Sequence, residues 1–87
     1  MGQNNLEVIM IEQSIRLTYP PTLLKTPVIY QLIRRHDVTV NILRAQVSPE
    51  QGWLVIQLSG EEGVVNEAIA WLKSQGIQVD SHSQQAV

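Results

Sequence analysis

The polar residues most able to do chemistry are an asparagine and two arginines on predicted strands. Asn41 lies in a predicted strand that is rich in β-branched residues, although asparagine is depleted in strands. Its amide offers two donors and an acceptor, which suits the carboxylate and ammonium groups of an amino acid. Arg16 and Arg44 could bind a carboxylate or a phosphate, although isolated arginines on a sheet are usually solvated or paired with acids. This pattern favours binding over reaction.

The sequence carries no recognisable pattern for catalysis or for metal binding. It has no cysteine and only two histidines, His36 and His82, and their spacing fits no zinc site. Glu61 and Glu62 stand at a predicted helix start, where acids offset the helix dipole. There is no evident serine, histidine and acid triad and no glycine-rich phosphate loop. We therefore expect no enzymatic activity, no metal and no cofactor.

Size and composition limit the class of protein. A chain of 87 residues makes one domain, and 44% hydrophobic with 16% charged residues indicates a globular chain. Its apolar runs are far shorter than the roughly 18–20 residues of a membrane span, so no membrane insertion is expected. A net charge of −2 argues against nucleic-acid binding. Residues 1–13 lack the basic start of a secretory signal, which makes the cytoplasm the expected location.

The elements that position these residues follow from hydrophobic periodicity and from turn residues. They are a strand over residues 14–19, a helix beginning at Thr26 and Pro27, strands over residues 38–47 and 53–59, a helix from Glu61 to Gly76, and a strand over residues 77–80. Prolines end the first strand and the turn of residues 48–52 joins the middle pair. Glycine suits the left-handed end of the second helix.

The order β-α-β-β-α-β predicts an α+β, ferredoxin-like sandwich, in which two helices cover one face of an antiparallel sheet. Residues 14–80 form this domain. Residues 1–13 are an N-terminal extension whose stretch 6–11 could be an extra or exchanged strand. Residues 81–87 are predicted to be a flexible tail.

The face of the sheet without helices, called here the open face, is predicted to be half apolar. Its members are Arg16, Thr18, Thr39, Asn41, Leu43, Trp53, Val55 and Gln57. A solvated face is usually mostly polar, so this patch indicates an interface, and a homodimer packed sheet on sheet or edge on edge is the simplest explanation. Leu43, Trp53 and Val55 could instead line an apolar slot for a ligand side chain.

Several segments in series resemble the NIL domain. They are Thr26-Pro27-Val28-Ile29, the tripeptide Asn41-Ile42-Leu43, the strand over residues 54–60, the segment 68–72 and the strand after Gly76. The resemblance covers residues 15–80 and implies an ACT-like variant of the ferredoxin fold. It also implies dimerisation and methionine binding, as in NIL domains at the C-terminus of the ATPase subunit of methionine ABC importers, where methionine inhibits transport. The family's signature asparagine, associated with the ligand site, is Asn41 here.

The expected function is therefore a stand-alone regulatory domain that binds a small amino acid, methionine first, near a homodimer interface. Asn41, Leu43 and Val55 are the expected ligand-binding residues, and the signal passes to a separate output protein, which could be a transporter component. Arg44, next to the tripeptide, could favour another ligand. The alternatives are a protein–protein interaction module without a small ligand, using the open face or an edge strand, and a ferredoxin-like enzyme subunit or metal-handling domain.

Overall fold

The structure, a computed structural model, describes residues 7–86, and side chains through residue 81. Its elements are β1 (Met10–Tyr19), a 3₁₀ turn (Pro21–Leu23), α1 (Val28–Arg35), β2 (Thr39–Val47), β3 (Gly52–Glu61), α2 (Glu62–Ser74) and β4 (Gln78–Ala86). This is the predicted order of strands and helices. Within residues 7–86, no helix is long and apolar enough to cross a membrane.

The four strands form one sheet in the order β2-β3-β1-β4. Each neighbouring pair is antiparallel, so β1 and β2 run in the same direction with β3 inserted between them. This is the split βαβ arrangement of ferredoxin-like folds. The predicted fold class is therefore confirmed.

The hydrophobic core lies between the sheet and the two helices. On β1, the alternate residues Ile11, Ile15 and Leu17 are at most 1% exposed, as expected for the inner face of a strand. The other buried apolar residues are Val28, Leu32, Val38, Ile56, Leu58, Val65, Ala68, Leu72 and Ile77. Their spacing on each helix and strand follows the predicted periodicity.

β1 is longer than predicted. It begins at Met10 rather than at Ser14, and its first residues pair with the end of β3, Met10 opposite Glu61 and Gln13 opposite Leu58. Part of the expected N-terminal extension thus belongs to a central strand, and Leu6, in the same predicted segment, lies outside the described residues. The backbone groups of β1 are paired on both sides, a long-range effect that side-chain alternation does not reveal.

β4 is also longer than predicted. Residues 81–86, expected to form a flexible tail, continue the strand, and pairing with β1 runs as far as Ala86 opposite Ile11. A register irregularity lies between Ser14 and Ile15 of β1. The side chains of this segment are mostly polar and show no hydrophobic alternation from which a strand could be predicted. Its pairing in the sheet is made by backbone groups. These residues belong to the sheet, while Val87 lies outside the described residues.

Gly76 ends α2 as predicted. Its φ is 94°, and its N–H donates to the carbonyl oxygen of Lys73 at 3.0 Å, while the N–H of Ile77 donates to that of Leu72 at 3.3 Å. These two bonds define a Schellman motif. The burial of both Leu72 and Ile77 adds the hydrophobic contact that usually accompanies it.

The start of α1 lies at the predicted Thr26 and Pro27 and is stabilised by backbone hydrogen bonds. The N-cap position is Pro27, and no side chain caps the helix. The N–H of Val28 instead donates to the backbone oxygen of Thr26 at 2.8 Å, and the N–H of Gln31 donates to that of Pro27 at 3.1 Å. Thr26 therefore contributes to this turn through its backbone.

Candidate functional site on the open face

A β-bulge in β2 decides which side chains accompany Asn41. Ile42 lies opposite Ile56 of β3, but Arg44 lies opposite Val55, so that Leu43 is the extra residue. A bulge shifts the alternation of all later residues in its strand. As a result Arg44 lies on the open face, where unbroken alternation would have placed Leu43.

Asn41 belongs to a polar row that crosses the open face. It lies opposite Gln57 of β3, which in turn lies opposite Ser14 of β1. Asn41 is exposed, whereas Gln57 and Ser14 are half-buried. Its amide is therefore accessible to a ligand from solvent.

The next row of the open face carries the charges. From β2 to β4 it contains Arg44, Val55, Arg16 and Asp80. Directly opposed residues have Cβ atoms about 4.5–5.5 Å apart, so an arginine flanks Val55 on each side. Val55 and Asn41 lie in adjacent rows of the same face, and an anionic group placed between them would be within reach of Arg44.

Arg16 is held in place by an aromatic ring. Its guanidinium carbon lies 4.5 Å from the ring centroid of Trp53, within the distance of a cation–π interaction. Both residues are half-buried. Trp53 is therefore engaged within the chain rather than presented as an unoccupied anchor for a partner.

The predicted ligand residues are brought together only in part. Asn41 and Val55 share the open face, while Leu43 lies at the bulge between their rows and is 53% exposed. Asn41 and Leu43 both belong to β2, which is an edge of the sheet. A ligand held by these residues would remain in contact with solvent unless a second molecule covered it.

Within residues 7–86, no strand pairs with the outer edge of β2, and this edge carries apolar side chains. Ile42, Leu43 and Val47 are 57%, 53% and 68% exposed. An edge strand presents free N–H and C=O groups to solvent and can template the pairing of another strand. The edge therefore exposes apolar side chains beside backbone groups that could pair, whereas the bulge makes the open face more polar than predicted.

The side chain of His36 makes contacts within the chain. Its Nδ1 atom lies 3.1 Å from the carbonyl oxygen of Leu32, so this nitrogen donates, since a carbonyl only accepts. The imidazole lies 5.9 Å from the ring of Trp71, above which the guanidinium of Arg35 sits at 5.3 Å. The side chain of His82 lies outside the described part of the chain.

A cleft that the sequence did not predict lies at the end of the sheet where β1 ends and β3 begins. It separates the loop of residues 20–27 from the β2–β3 hairpin, and it contains two adjoining cavities of ≈ 210 Å³ and ≈ 610 Å³ that share Leu24 and Val47. The sequence features that could have indicated this cleft are the prolines of its two walls and Gly52. Only the tertiary structure brings these residues close together.

The strand order and the helices on one face define a ferredoxin-like α+β domain. The NIL domain family model matches residues 13–81, and the chain belongs to this family. The resemblance noted in the sequence is thus confirmed over almost the same range.

Two relatives have sequences similar to that of this chain. The chain is 34% identical over 79 residues to the methionine import ATP-binding protein MetN 2 of Bacillus licheniformis, covering 86% of this chain and 23% of the relative. It is 33% identical over 73 residues to MetN 1 of Burkholderia ambifaria, covering 79% and 21%. The chain thus spans less than a quarter of the length of these two relatives. Their names describe the whole proteins and not this segment alone.

Solved structures share the fold. The C-terminal domain of an ABC transporter ATP-binding protein from Enterococcus faecalis superposes with a TM-score of 0.69 at 26% identity, covering 79% of this chain and 81% of that one. A de novo designed protein, Foldit4, superposes with a TM-score of 0.59 at 8% identity, covering 87% and 96%. The second likeness concerns the fold alone.

Proposed function

We propose that this chain is a regulatory domain that binds a small amino acid, methionine first, through Asn41 at a homodimer interface. The observation that carries the proposal is the position of Asn41. Its accessible amide lies on an edge strand, one row away from Val55 and Arg44. The relatives named as methionine import ATP-binding proteins support methionine as the first ligand.

The chemistry of recognition is shared between neutral and charged groups. The amide of Asn41 can accept from the ligand's ammonium group and donate to its carboxylate. Arg44 adds a positive charge in the next row. Val55 and Leu43 offer apolar contact for the side chain of the ligand, in the manner of sites that hold a few polar groups in apolar walls.

The dimer in this proposal pairs β2 with β2 of a second copy. Edge pairing would satisfy the free backbone groups of β2 and cover Ile42, Leu43 and Val47. The open face is less suited to the alternative sheet-on-sheet packing, because Arg44 takes the place expected for Leu43. Antiparallel pairing with full overlap would centre on Leu43, so Asn41 of each copy would lie within the interface.

The proposed mechanism is linkage between ligand and assembly. A ligand that binds one dimer arrangement better than another shifts the equilibrium by the difference in affinity. The output is a separate cytoplasmic protein, with a methionine importer component as the first candidate. Catalysis has no part in this proposal.

Isothermal titration of the purified chain with L-methionine, followed by other amino acids, tests the proposal. We expect saturable binding that Asn41→Ala abolishes and that Asn66→Ala leaves unchanged, since Asn66 is an exposed asparagine on α2. Wild-type affinity in Asn41→Ala, with correct folding by circular dichroism, would refute the role of Asn41. The absence of binding across the whole panel would refute the ligand.

A protein–protein interaction module is the second candidate, and the exposed β2 edge is the observation that favours it. In this case a strand of the partner adds to β2. Leu43→Lys would then weaken a complex with a purified importer ATP-binding subunit, whether or not an amino acid is present. A complex that forms only with methionine, or that ignores Leu43→Lys, would count against this candidate.

A further inference from the structure

We propose that the cleft between the loop of residues 20–27 and the β2–β3 hairpin is a second ligand site, which takes a small monocarboxylate with an unbranched apolar chain. This site lies beyond the function proposed for Asn41. Asn41 lies opposite Gln57 and Val47 opposite Gly52, so the two places are five residues apart along the regular strand β3, or about 17 Å at the usual strand rise of about 3.3 Å. One ligand of this size cannot occupy both places.

The smaller of the two cavities, called here the inner cavity, is mostly apolar. Its volume is ≈ 210 Å³, and its walls include Tyr19, Leu24, Pro27, Ile29, Val47 and Leu54. These residues come from the end of β1, the start of α1 and the paired ends of β2 and β3. The cavity is smaller than the roughly 300–1,000 Å³ of sites for drug-sized ligands, so a chain of about four to six carbon atoms is the size we expect.

The larger cavity, called here the outer cavity, is lined by one charged residue, Lys25. It has a volume of ≈ 610 Å³ and is lined by residues that include Lys25, Thr22 and Ser48, and no acidic residue is among those lining either cavity. Lys25 is exposed at the mouth. A ligand would therefore point its apolar chain inward and its carboxylate outward, toward the ammonium group of Lys25.

Both walls are held by hydrogen bonds, so the site is formed before a ligand arrives. In the loop, the N–H of Leu23 donates to the oxygen of Pro20 at 2.9 Å, and that of Thr26 donates to Leu23 at 3.0 Å. In the hairpin, the N–H of Ser48 donates to the oxygen of Gln51 at 2.7 Å. Prolines at positions 20, 21, 27 and 49 further restrict the backbone.

Leu24 lies where the two cavities adjoin. It lines both, and its Cδ2 atom would lie only 2.5 Å from a Cβ built on Gly52. The absence of a side chain at Gly52 therefore leaves room for Leu24 to pack against the strand. Gly52→Ala would displace the end of Leu24, because a flexible side chain moves more readily than backbone.

The burial of Tyr19 is compatible with an anionic ligand. Desolvation raises the pKa of its phenol above the ordinary value of 10.0. The hydroxyl therefore stays neutral at physiological pH. It adds no negative charge to the wall of the inner cavity.

Titration of the methyl-labelled protein with sodium hexanoate, followed by NMR, tests the proposal. We expect saturable shifts of the methyl groups of Leu24, Val47 and Leu54, and weaker or no binding of hexylamine, which has the same chain and the opposite charge. Lys25→Glu should weaken hexanoate binding about five- to tenfold, given the modest size of exposed charge interactions, whereas Lys25→Arg should preserve it. Gly52→Ala should change the affinity by displacing Leu24.

The outcomes separate this site from that of Asn41. Hexanoate binding that survives in Asn41→Ala, together with methionine binding that survives in Lys25→Glu, supports two sites. Shifts confined to residues near Asn41 and Val55, equal binding of hexanoate and hexylamine, or no saturable shift at all would each overturn the proposal. The function proposed for Asn41 would stand in all three cases if methionine still binds there.

Discussion

Arg44 and Val55 lie directly opposite each other across β2 and β3. This pairing exists because the chain takes one extra residue, Leu43, at the bulge. The charge of Arg44 is thereby placed in the row beside Asn41, while Leu43 moves to the exposed edge. The bulge thus adds a positive charge to a face that the sequence predicted to be half apolar.

Replacing Arg44 with glutamine tests the contribution of this charge. We expect Arg44→Gln to weaken amino-acid binding by about two- to fivefold, the scale of one exposed charge interaction. The free energy of unfolding should change by less than about 0.5 kcal/mol, because the residue is exposed. Calorimetric titration and urea unfolding measure the two quantities. Unchanged affinity would show that the carboxylate of the ligand is held elsewhere.

Replacing Gln13 with leucine should stabilise the protein. Gln13 is 8% exposed, and its Oε1 atom is buried without a hydrogen-bond partner among the parts of the chain that the structure describes. Such a group costs about 1–3 kcal/mol. Its Nε2 donates to the exposed Ser81 at 3.2 Å, and water can replace this bond on the serine side.

Urea unfolding of Gln13→Leu should show a gain of about 1 kcal/mol. Gln13→Glu is the matched control and should destabilise the protein at neutral pH, because it buries an unpaired carboxylate. Lower stability of Gln13→Leu would mean that the amide has a stabilising partner, such as a bound water.

Gly76 and Gly63 should respond in opposite directions to substitution by alanine. Gly76 has a φ of 94°, and a Cβ there would meet only Leu23 at 4.0 Å, so Gly76→Ala costs backbone strain of about 1–2 kcal/mol rather than a clash. Gly63 lies in α2, and a Cβ there meets nothing within 4 Å. Gly63→Ala should gain up to about 1 kcal/mol from helix propensity.

Thermal or urea unfolding of both alanine variants measures this contrast. Gly76→Asn should lose less than Gly76→Ala, because asparagine tolerates the left-handed conformation better. Equal effects of alanine at the two positions would contradict the assigned conformation of Gly76.

Tyr19 should make stability fall in alkaline solution. Its pKa is raised by burial from the ordinary value of 10.0, so above that pH the unfolded chain loses the phenol proton before the folded chain does. The unfolded state then binds fewer protons, and the free energy of unfolding decreases as pH rises toward the folded pKa. Urea unfolding between about pH 9 and 11 should show a smaller decrease in Tyr19→Phe. Parallel curves for the two proteins would contradict this role.

Much of the architecture was determined by local sequence. The alternation of Ile15 and Leu17, the helical stripes and the glycine at position 76 predicted the order of elements and the ends of α2. These signals are local, because the period of the hydrophobic pattern and the conformational preference of glycine act within a few residues. The resemblance to the NIL family rested on the same segments and pointed to Asn41.

Tertiary structure alone decided the register and the extent of the strands. The bulge at Leu43, the continuation of β4 to Ala86 and the early start of β1 at Met10 all depend on which backbone groups meet across the sheet. The cleft around Leu24 depends on two loops that are far apart in sequence. Pairing between distant segments is made by backbone groups that are the same for nearly every residue, so side-chain patterns do not reveal it.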